Sequence, residues 1–197
     1  MKIDIILAGV GGQGILSIAA SIGMAALHQN LFLKQAEVHG MSQRGGSVHS
    51  DLRISDKNIA SDLIPLGGAD LIISVEPMEA LRYLPYMSAN GWLVTNSNPF
   101  FNIPDYPDIE KLTDEIRKLQ HHIMLDADQI ASDLGSKKSG NMVILGAATP
   151  FINIPYTSFE EGVKEIFKNK GEEIIEINLS ALRKGREFTL KSGKLAL

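Results

Sequence analysis

Apolar residues occur along the chain in short runs whose lengths alternate between those of a buried strand and those of a helix. Residues 2–8 (KIDIILA) have the length and composition of a central strand, and residues 15–27 (ILSIAASIGMAAL) form an almost wholly apolar helix. Four later apolar runs predict further strands, at residues 31–38, 69–75, 92–96 and 122–125. Strands that alternate with helices in this way predict a single Rossmann-like, three-layer α/β domain with a mostly parallel sheet.

Residues 47–54 (SVHSDLRI) show a different pattern. Apolar Val48, Leu52 and Ile54 alternate with polar His49 and Arg53, which predicts a strand with one polar face. The turn-forming residues 56–58 (DKN) follow the strand directly. We therefore expect a β-hairpin over residues 47–61.

Towards the C-terminus the pattern is less regular. Residues 158–161 (SFEE) fit a capping box for a helix that extends to Asn169, and Gly171 would end that helix. Residues 173–179 then favour a last strand, followed by a short helix and a tail. We expect a main domain of residues 1–180 and a C-terminal helix and tail of residues 181–197.

A glycine-rich loop joins the first strand to the first helix. It contains Gly9, Gly11, Gly12, Gln13 and Gly14, which match the G-x-G-x-x-G pattern in the strand-to-helix setting that this pattern requires. Glycines allow a tight turn and a close approach of the backbone to another group, and the amides at a helix N-terminus attract anions. The loop therefore predicts a phosphate-binding or partner-binding site, with a dinucleotide as the first ligand to consider.

The residues around this loop leave its ligand open. Glu37 stands about 20 residues further on, where a dinucleotide site places the acid that binds the ribose, and is a loose candidate for that role. NAD(P) or FAD binding is one interpretation of the pattern. In the other, the glycines serve only the turn and the packing of the helix on the sheet.

Glu76 follows the strand predicted at residues 69–75 and precedes Pro77, which begins a helix. Ligands in open α/β sheets lie beyond the carboxyl ends of the strands, so Glu76 is a candidate to line the same crevice as the glycine loop. Its other possible role is that of an acid at a helix N-terminus, which the helix dipole favours.

A second loop, residues 39–46 (HGMSQRGG), carries Gln43 and Arg44 between small residues. Both side chains can bind a carboxylate or a phosphate, while an intrachain salt bridge is the alternative for Arg44. His39 and His49 flank this loop and are the two histidines that merit a test. The sequence pattern does not identify a nucleophile together with its general base, so the catalytic residues stay unassigned.

Charge and the N-terminal sequence exclude several classes of protein. The formal net charge of −4 and an isoelectric point near 5.7 provide no basic surface for nucleic acid. Asp4 interrupts the apolar N-terminal run, which predicts neither a signal peptide nor a membrane span, and we expect a cytoplasmic protein. His121 and His122 are adjacent on a predicted strand and would face opposite sides, so we expect no metal site.

Three segments together resemble a known family: AGVGGQGIL, EVHGMSQRGGSVHSDLRI and ISVEPMEALRYLP. They are similar to the gamma-type subunit or domain of the 2-oxoacid:ferredoxin oxidoreductases, and most similar to the beta-subunit branch that acts on indolepyruvate. The resemblance covers roughly residues 1–180. It implies oxidative decarboxylation, in which an aryl pyruvate, coenzyme A and oxidised ferredoxin give an acyl-CoA, carbon dioxide and reduced ferredoxin.

The absence of cysteine from the chain bears on where the cofactors of such a complex would lie. With no thiolates this chain cannot hold cysteine-ligated iron–sulfur clusters. The resemblance therefore implies a large alpha subunit that carries thiamine diphosphate, magnesium and the [4Fe-4S] clusters, with ferredoxin and the 2-oxoacid as further partners. The small subunit would be inactive alone, and the carboxylate or phosphate bound by Gln43 and Arg44 would lie at its junction with the large subunit.

Three functions remain open from the sequence. The first is this subunit of a ferredoxin-reducing complex. The second is a self-sufficient NAD(P)-binding Rossmann oxidoreductase, against which the absence of a separate substrate domain in 197 residues counts. The third is a non-catalytic scaffold subunit that keeps the Rossmann-like shape.

Overall fold

A computed structural model describes residues 1–39 and 45–194, and the side chain of His39 is outside the described part. The strands within these ranges are β1 (Lys2–Val10), β2 (Phe32–His39), β3 (Ser47–Ser55), β4 (Ala69–Ser74), β5 (Met87–Asn96) and β6 (His122–Leu125). The helices are α1 (Ile15–His28), α2 (Pro77–Arg82), α3 (Ile109–Arg117), α4 (Ala127–Asp133), α5 (Gly140–Ala148), α6 (Tyr156–Phe167) and α7 (Glu172–Lys191).

The strands form one sheet in the order β2-β3-β1-β4-β5-β6. Strands β1, β4, β5 and β6 are parallel to their neighbours in this series, whereas β3 is antiparallel to both β1 and β2. The predicted α/β domain with a mostly parallel sheet is confirmed, and the strands predicted from the apolar runs are present.

The strand pairing of β3 corrects one expectation. The expected β-hairpin over residues 47–61 is wrong, because residues 56–61 form no strand and β3 pairs instead with β1 and β2. The polar face of β3 holds this segment by side-chain bonds. The Asp51 carboxylate accepts from the Ile64 amide at 3.0 Å, and Arg53 Nη1 donates to the carbonyls of Ser61 and Leu63.

Successive side chains of β1 point alternately to the two faces of the sheet and pack with the helices on each face. Ile5 and Leu7 pack with the core beneath α1, α5, α6 and α7, whereas Ile6 and Ala8 belong to a second core with residues of α2 and α3. Successive strand residues point to opposite faces, so a strand covered on both sides is apolar throughout. This explains why the run at residues 2–8 is continuous, and it confirms the three layers.

The C-terminal region differs from the expectation. Residues 173–179 are not a strand; they belong to α7, a single 20-residue helix that continues across residue 180. Its buried positions Asn178, Leu182, Gly185 and Thr189 recur at helical spacing and face α5. None of the helices in the described part of the chain combines the length and apolar composition needed to cross a membrane.

The predicted capping box is also wrong. Helix α6 starts at Tyr156 with Pro155 as its N-cap residue, so Ser158 lies inside the helix. The Ser158 hydroxyl accepts a hydrogen bond from Gln29 Nε2 at 2.9 Å and thereby joins α6 to the end of α1. Proline has its backbone already set for a helix start, which moves the beginning of the helix ahead of the serine.

Candidate functional site

A cavity of about 770 Å³ lies at the carboxyl ends of the parallel strands. Its walls include the glycine loop after β1, Val75 after β4, Asn96 at the end of β5 and residues 98–100 after it, residues 136–141 before and at the start of α5, and Lys170 with the first turns of α7. Pockets of this size and position are typical ligand sites of open α/β sheets. We call this cavity the crevice.

The geometry of the glycine loop shows why its residues are small. A Cβ on Gly9 would lie 2.4 Å from Val75 Cγ2, and Gly14 has a φ of +81°, which an L side chain rarely adopts. The Gln13 side chain turns back into the loop: its Oε1 accepts from the Val10 amide at 2.8 Å and its Nε2 donates to the Val75 carbonyl at 3.4 Å. Gln13 therefore fixes the loop and lines the crevice at the same time.

Two helix N-termini face the crevice. Gly14, the N-cap of α1, has no side chain, and Ser139, the N-cap of α5, makes no side-chain hydrogen bond to the first turn. Asn141 Nδ2 donates to the Gly14 carbonyl at 3.1 Å and holds the two helix starts together. Each helix start contributes first-turn amides and the positive end of a helix dipole, which suit an anion, although the Met142 amide of α5 already donates to Asn141 Oδ1 at 2.9 Å.

Three lysines on the crevice wall add to this potential. Lys137, Lys138 and Lys170 are exposed, and none of them forms an ion pair with a described residue. One carboxylate, that of Asp128, also lines the crevice and accepts a hydrogen bond from Asn96 Nδ2 at 3.2 Å. The wall is thus cationic on balance and carries several amide side chains.

Glu76 is fully buried and serves as a hydrogen-bond centre beside the crevice. Its carboxylate accepts from the Glu79 amide at 2.8 Å as the N-cap of α2, from the Phe100 amide at 3.4 Å, and from the Tyr106 hydroxyl. Burial raises the pKa of Glu76, while these hydrogen bonds act in the opposite direction. The crevice lining includes its neighbour Val75 rather than Glu76 itself.

Hydrogen bonds connect three loops at this edge of the sheet. The Gly11 amide donates to the Gly46 carbonyl at 2.9 Å, and Asn102 Nδ2 donates to the Gly45 carbonyl at 2.7 Å. The glycine loop, the end of the 39–46 loop and residues 97–108 are therefore joined. Gln43 and Arg44 lie outside the described residues, so the structure leaves their predicted roles as predictions.

His49 lies on β3 away from the crevice lining. Its Nδ1 shares a hydrogen bond of 2.9 Å with the Tyr83 hydroxyl, and the two rings pack with centroids 4.8 Å apart. Burial raises the pKa of Tyr83, so the hydroxyl keeps its proton at neutral pH. This pairing joins β3 to the end of α2.

Sequence reasoning did not single out Lys137, Lys138, Asn141 or Tyr106. The basic pair directly before an apolar helix was a usable signal for the two lysines, because cations at that place do not serve the helix dipole. Tyr106 lies in the proline-rich segment 99–108, whose aromatic residues indicate either a partner contact or a packed irregular segment, but its bond to Glu76, 30 residues away, carried no signal.

The donor atoms of the chain bear on which cofactors it can hold. With no cysteine in the sequence, thiolate-ligated clusters do not fit this chain. Among the described residues no group of three or more His, Asp or Glu side chains is placed to hold a metal ion. The crevice offers amides and ammonium groups, which suit anionic groups rather than cations.

The family can now be identified. A sequence model of the family described as pyruvate ferredoxin/flavodoxin oxidoreductase matches residues 4–188. The chain belongs to this family. It is 36% identical over 194 residues to indolepyruvate oxidoreductase subunit IorB of Archaeoglobus fulgidus, covering 94% of each chain.

Two more distant proteins are also similar to the chain. It is 26% identical to 2-oxoglutarate synthase subunit KorC of Methanothermobacter marburgensis, covering 98% of this chain and 100% of that one. The fold matches a 2-oxoglutarate:ferredoxin oxidoreductase of Magnetococcus marinus with a TM-score of 0.77 and 22% identity, covering 98% of this chain and 32% of that one. The chain is thus a small subunit of a 2-oxoacid:ferredoxin oxidoreductase.

Proposed function

We propose that this chain is the small subunit of a thiamine-diphosphate-dependent complex that oxidatively decarboxylates aryl pyruvates such as indolepyruvate. The observation that carries the proposal is the level of identity: 36% to the indolepyruvate subunit against 26% to the 2-oxoglutarate subunit, each over nearly the whole chain. In the overall reaction, a 2-oxoacid, coenzyme A and two oxidised ferredoxins give an acyl-CoA, carbon dioxide, two reduced ferredoxins and a proton.

The cofactors of this reaction are assigned to a large partner subunit. Iron–sulfur clusters need thiolates that this chain lacks. Thiamine diphosphate, when bound, supplies the electron sink that allows carbon dioxide to leave the 2-oxoacid. What this chain contributes is a binding wall for the co-substrate and a contact surface for the partner.

The crevice is proposed to take the phosphate-bearing part of coenzyme A. The N-termini of α1 and α5, whose N-cap residues make no side-chain capping bond, and the ammonium groups of Lys137 and Lys138 are suited to phosphate oxygens. The Asn98 carboxamide lies on the same wall and, apart from the bond of its Nδ2 to Asp126, supplies a neutral hydrogen-bonding group there. Anchoring the anionic end here would leave the thiol end free to reach the thiamine site of the partner.

An anaerobic reconstitution tests the proposal. Ferredoxin reduction is measured with this chain alone, the large subunit alone and both co-expressed, with thiamine diphosphate and coenzyme A supplied. Indolepyruvate, pyruvate and 2-oxoglutarate are compared as substrates. The proposal expects activity only in the co-expressed sample and a kcat/KM for indolepyruvate well above that for the other two.

Two results would contradict it. Preference for 2-oxoglutarate or pyruvate would remove the aryl specificity and leave the family assignment in place. NAD(P)-linked turnover by this chain alone would favour the dehydrogenase alternative instead.

A further inference from the structure

Residues 97–108 (SNPFFNIPDYPD) expose several apolar side chains next to one another. Phe100 is 42% exposed, Phe101 is 73% exposed and Ile103 is 43% exposed. Large apolar side chains concentrated in one short segment indicate an interaction surface, whereas isolated ones do not. We call residues 97–108 the aromatic loop.

The exposed side chains of the aromatic loop are held by buried groups. Tyr106 donates its hydroxyl to the buried carboxylate of Glu76, and the ring of Phe101 packs edge-on against the ring of Tyr106 with centroids 5.1 Å apart. Asn102 ties the middle of the loop to the Gly45 carbonyl. A preorganised surface loses less conformational entropy on binding, which is a property of residues that dominate an interface.

The aromatic loop forms part of the crevice wall. Asn98, Pro99 and Phe100 are part of the crevice wall, so a protein bound to the loop also borders the opening of the crevice. In the proposed function, the thiol of a co-substrate must pass from this opening to reacting groups on the large subunit. The large subunit is therefore the partner whose position at this loop serves the reaction.

The charge of the aromatic loop indicates which kind of partner surface can bind it. The loop contains Asp105 and Asp108 but no lysine or arginine. An acidic rim disfavours nucleic acid and anionic lipid surfaces, and it disfavours a second copy of the same loop in a chain of net charge −4. It suits an apolar pocket bordered by basic residues.

We propose that the aromatic loop is the docking surface for the large subunit, with Phe101 as its anchor and Glu76 as the residue that positions it through Tyr106. This inference rests on the proposed function. It adds to that function a defined contact at Phe101 and a buried carboxylate, Glu76, that holds Tyr106 against the Phe101 ring.

The first test measures the dissociation constant between this chain and the purified, cofactor-loaded large subunit. Phe101→Ala is expected to weaken binding about tenfold or more, as for a central aromatic anchor. The matched control is Phe32→Ala, which removes a ring that is 51% exposed on the edge strand β2 and should leave the dissociation constant within about twofold. At saturating concentrations of Phe101→Ala, kcat should return to the wild-type value.

The second test addresses Glu76 through Tyr106. Tyr106→Phe keeps the ring but removes the hydroxyl bond, so we expect weaker binding while Phe101 is still present. The double variant Phe101→Ala/Tyr106→Phe should bind no more weakly than Phe101→Ala alone, because Tyr106 acts only through the anchor. Additive losses would show that Tyr106 affects binding independently of Phe101 and would overturn the positioning role.

The outcomes separate this inference from the proposed function. If the wild-type chain forms an active complex and Phe101→Ala binds equally well, the docking surface is wrong and the function stands. If the wild-type chain forms no complex with the large subunit, the proposed function fails and the inference fails with it. Because Phe101 is mostly exposed, its substitution should not disturb folding.

Discussion

Gly185 of α7 lies directly against the backbone of Val143 in α5. A Cβ built on Gly185 would be 1.8 Å from the Val143 carbonyl oxygen, and a Cβ on Gly146 of α5 would be 1.9 Å from the Leu182 carbonyl oxygen. The two glycines let the helices touch through their backbones. The C-terminal helix is thereby packed onto the helix whose N-terminus faces the crevice.

Gly185→Ala should strongly destabilise the fold, because the added methyl group meets backbone that cannot rotate away. We expect a loss of about 3 kcal/mol, at the upper end of the cost of overpacking. Urea unfolding followed by circular dichroism measures it. Gly23→Ala is the matched control: Gly23 is buried in α1, but its Cβ would meet only the Leu33 Cδ2 at 3.2 Å, so the gain in helix propensity should offset the contact.

The contact between α5 and α7 illustrates why some parts of the fold could be predicted from the sequence and others could not. The β1–glycine loop–α1 unit is specified by neighbouring residues, and its pattern was sufficient to predict it. The first half of helix α7 was mispredicted, because Ile175, Ile177 and Leu179 alternate with polar residues as in a strand, whereas the contact that holds the helix lies in α5, about 40 residues before Gly185.

The residues of the candidate site also differ in whether the sequence could predict them. The glycine loop was predicted because its residues are contiguous. Lys137, Lys138 and Tyr106 were missed because the fold brings them to the crevice and to Glu76 from distant parts of the chain. Sequence patterns report local structure, whereas a site assembled at the ends of several strands depends on the order of those strands.

The buried carboxylate of Glu76 should make stability depend on pH. Since burial raises the pKa of Glu76, the folded chain holds this proton more tightly than the unfolded chain does. Its contribution is fully present below pH 4.5, the ordinary pKa of the group, and is lost as the pH rises through the raised folded value. The difference in unfolding free energy between wild type and Glu76→Gln should therefore fall as the pH increases from about 4.5 to 7.5.

Urea titrations of both proteins at several pH values measure this difference. Glu173→Gln, at an exposed position of α7, controls for the loss of one acidic charge. A difference in unfolding free energy that stays constant over this pH range would show that folding does not raise the pKa of Glu76.

Asp4 and Arg53 form an ion pair at the opposite end of β1. Arg53 Nε and Nη2 donate to the Asp4 carboxylate at 2.8 and 3.0 Å, and the Asp4 side chain is only 2% exposed. Burial alone would raise the pKa of Asp4, but hydrogen bonds from Arg53 and Lys2 outweigh it and hold the pKa below 3.8. This contribution is present above pH 3.8 and is lost as the pH falls through the lowered folded value.

Asp4→Asn should therefore cost about 3 kcal/mol at neutral pH, because it leaves a largely buried guanidinium without its charged partner. The loss relative to wild type should shrink as the solution is acidified below the ordinary pKa of aspartate. Thermal and urea unfolding measure both effects, with the exposed Asp62→Asn as control. Equal stability of Asp4→Asn and Asp62→Asn at pH 7 would contradict the importance of the pair.

The lysines of the crevice should control the use of coenzyme A by the reconstituted complex. Lys137→Gln/Lys138→Gln removes two ammonium groups from the wall while keeping polar side chains there, so we expect the KM for coenzyme A to rise about tenfold with little change in kcat. The rise should shrink as salt is increased, because ionic screening weakens the attraction that the wild-type lysines provide. Lys57→Gln, an exposed lysine remote from the crevice, should leave the KM unchanged. An unchanged KM in the double variant, at low salt, would place coenzyme A elsewhere in the complex.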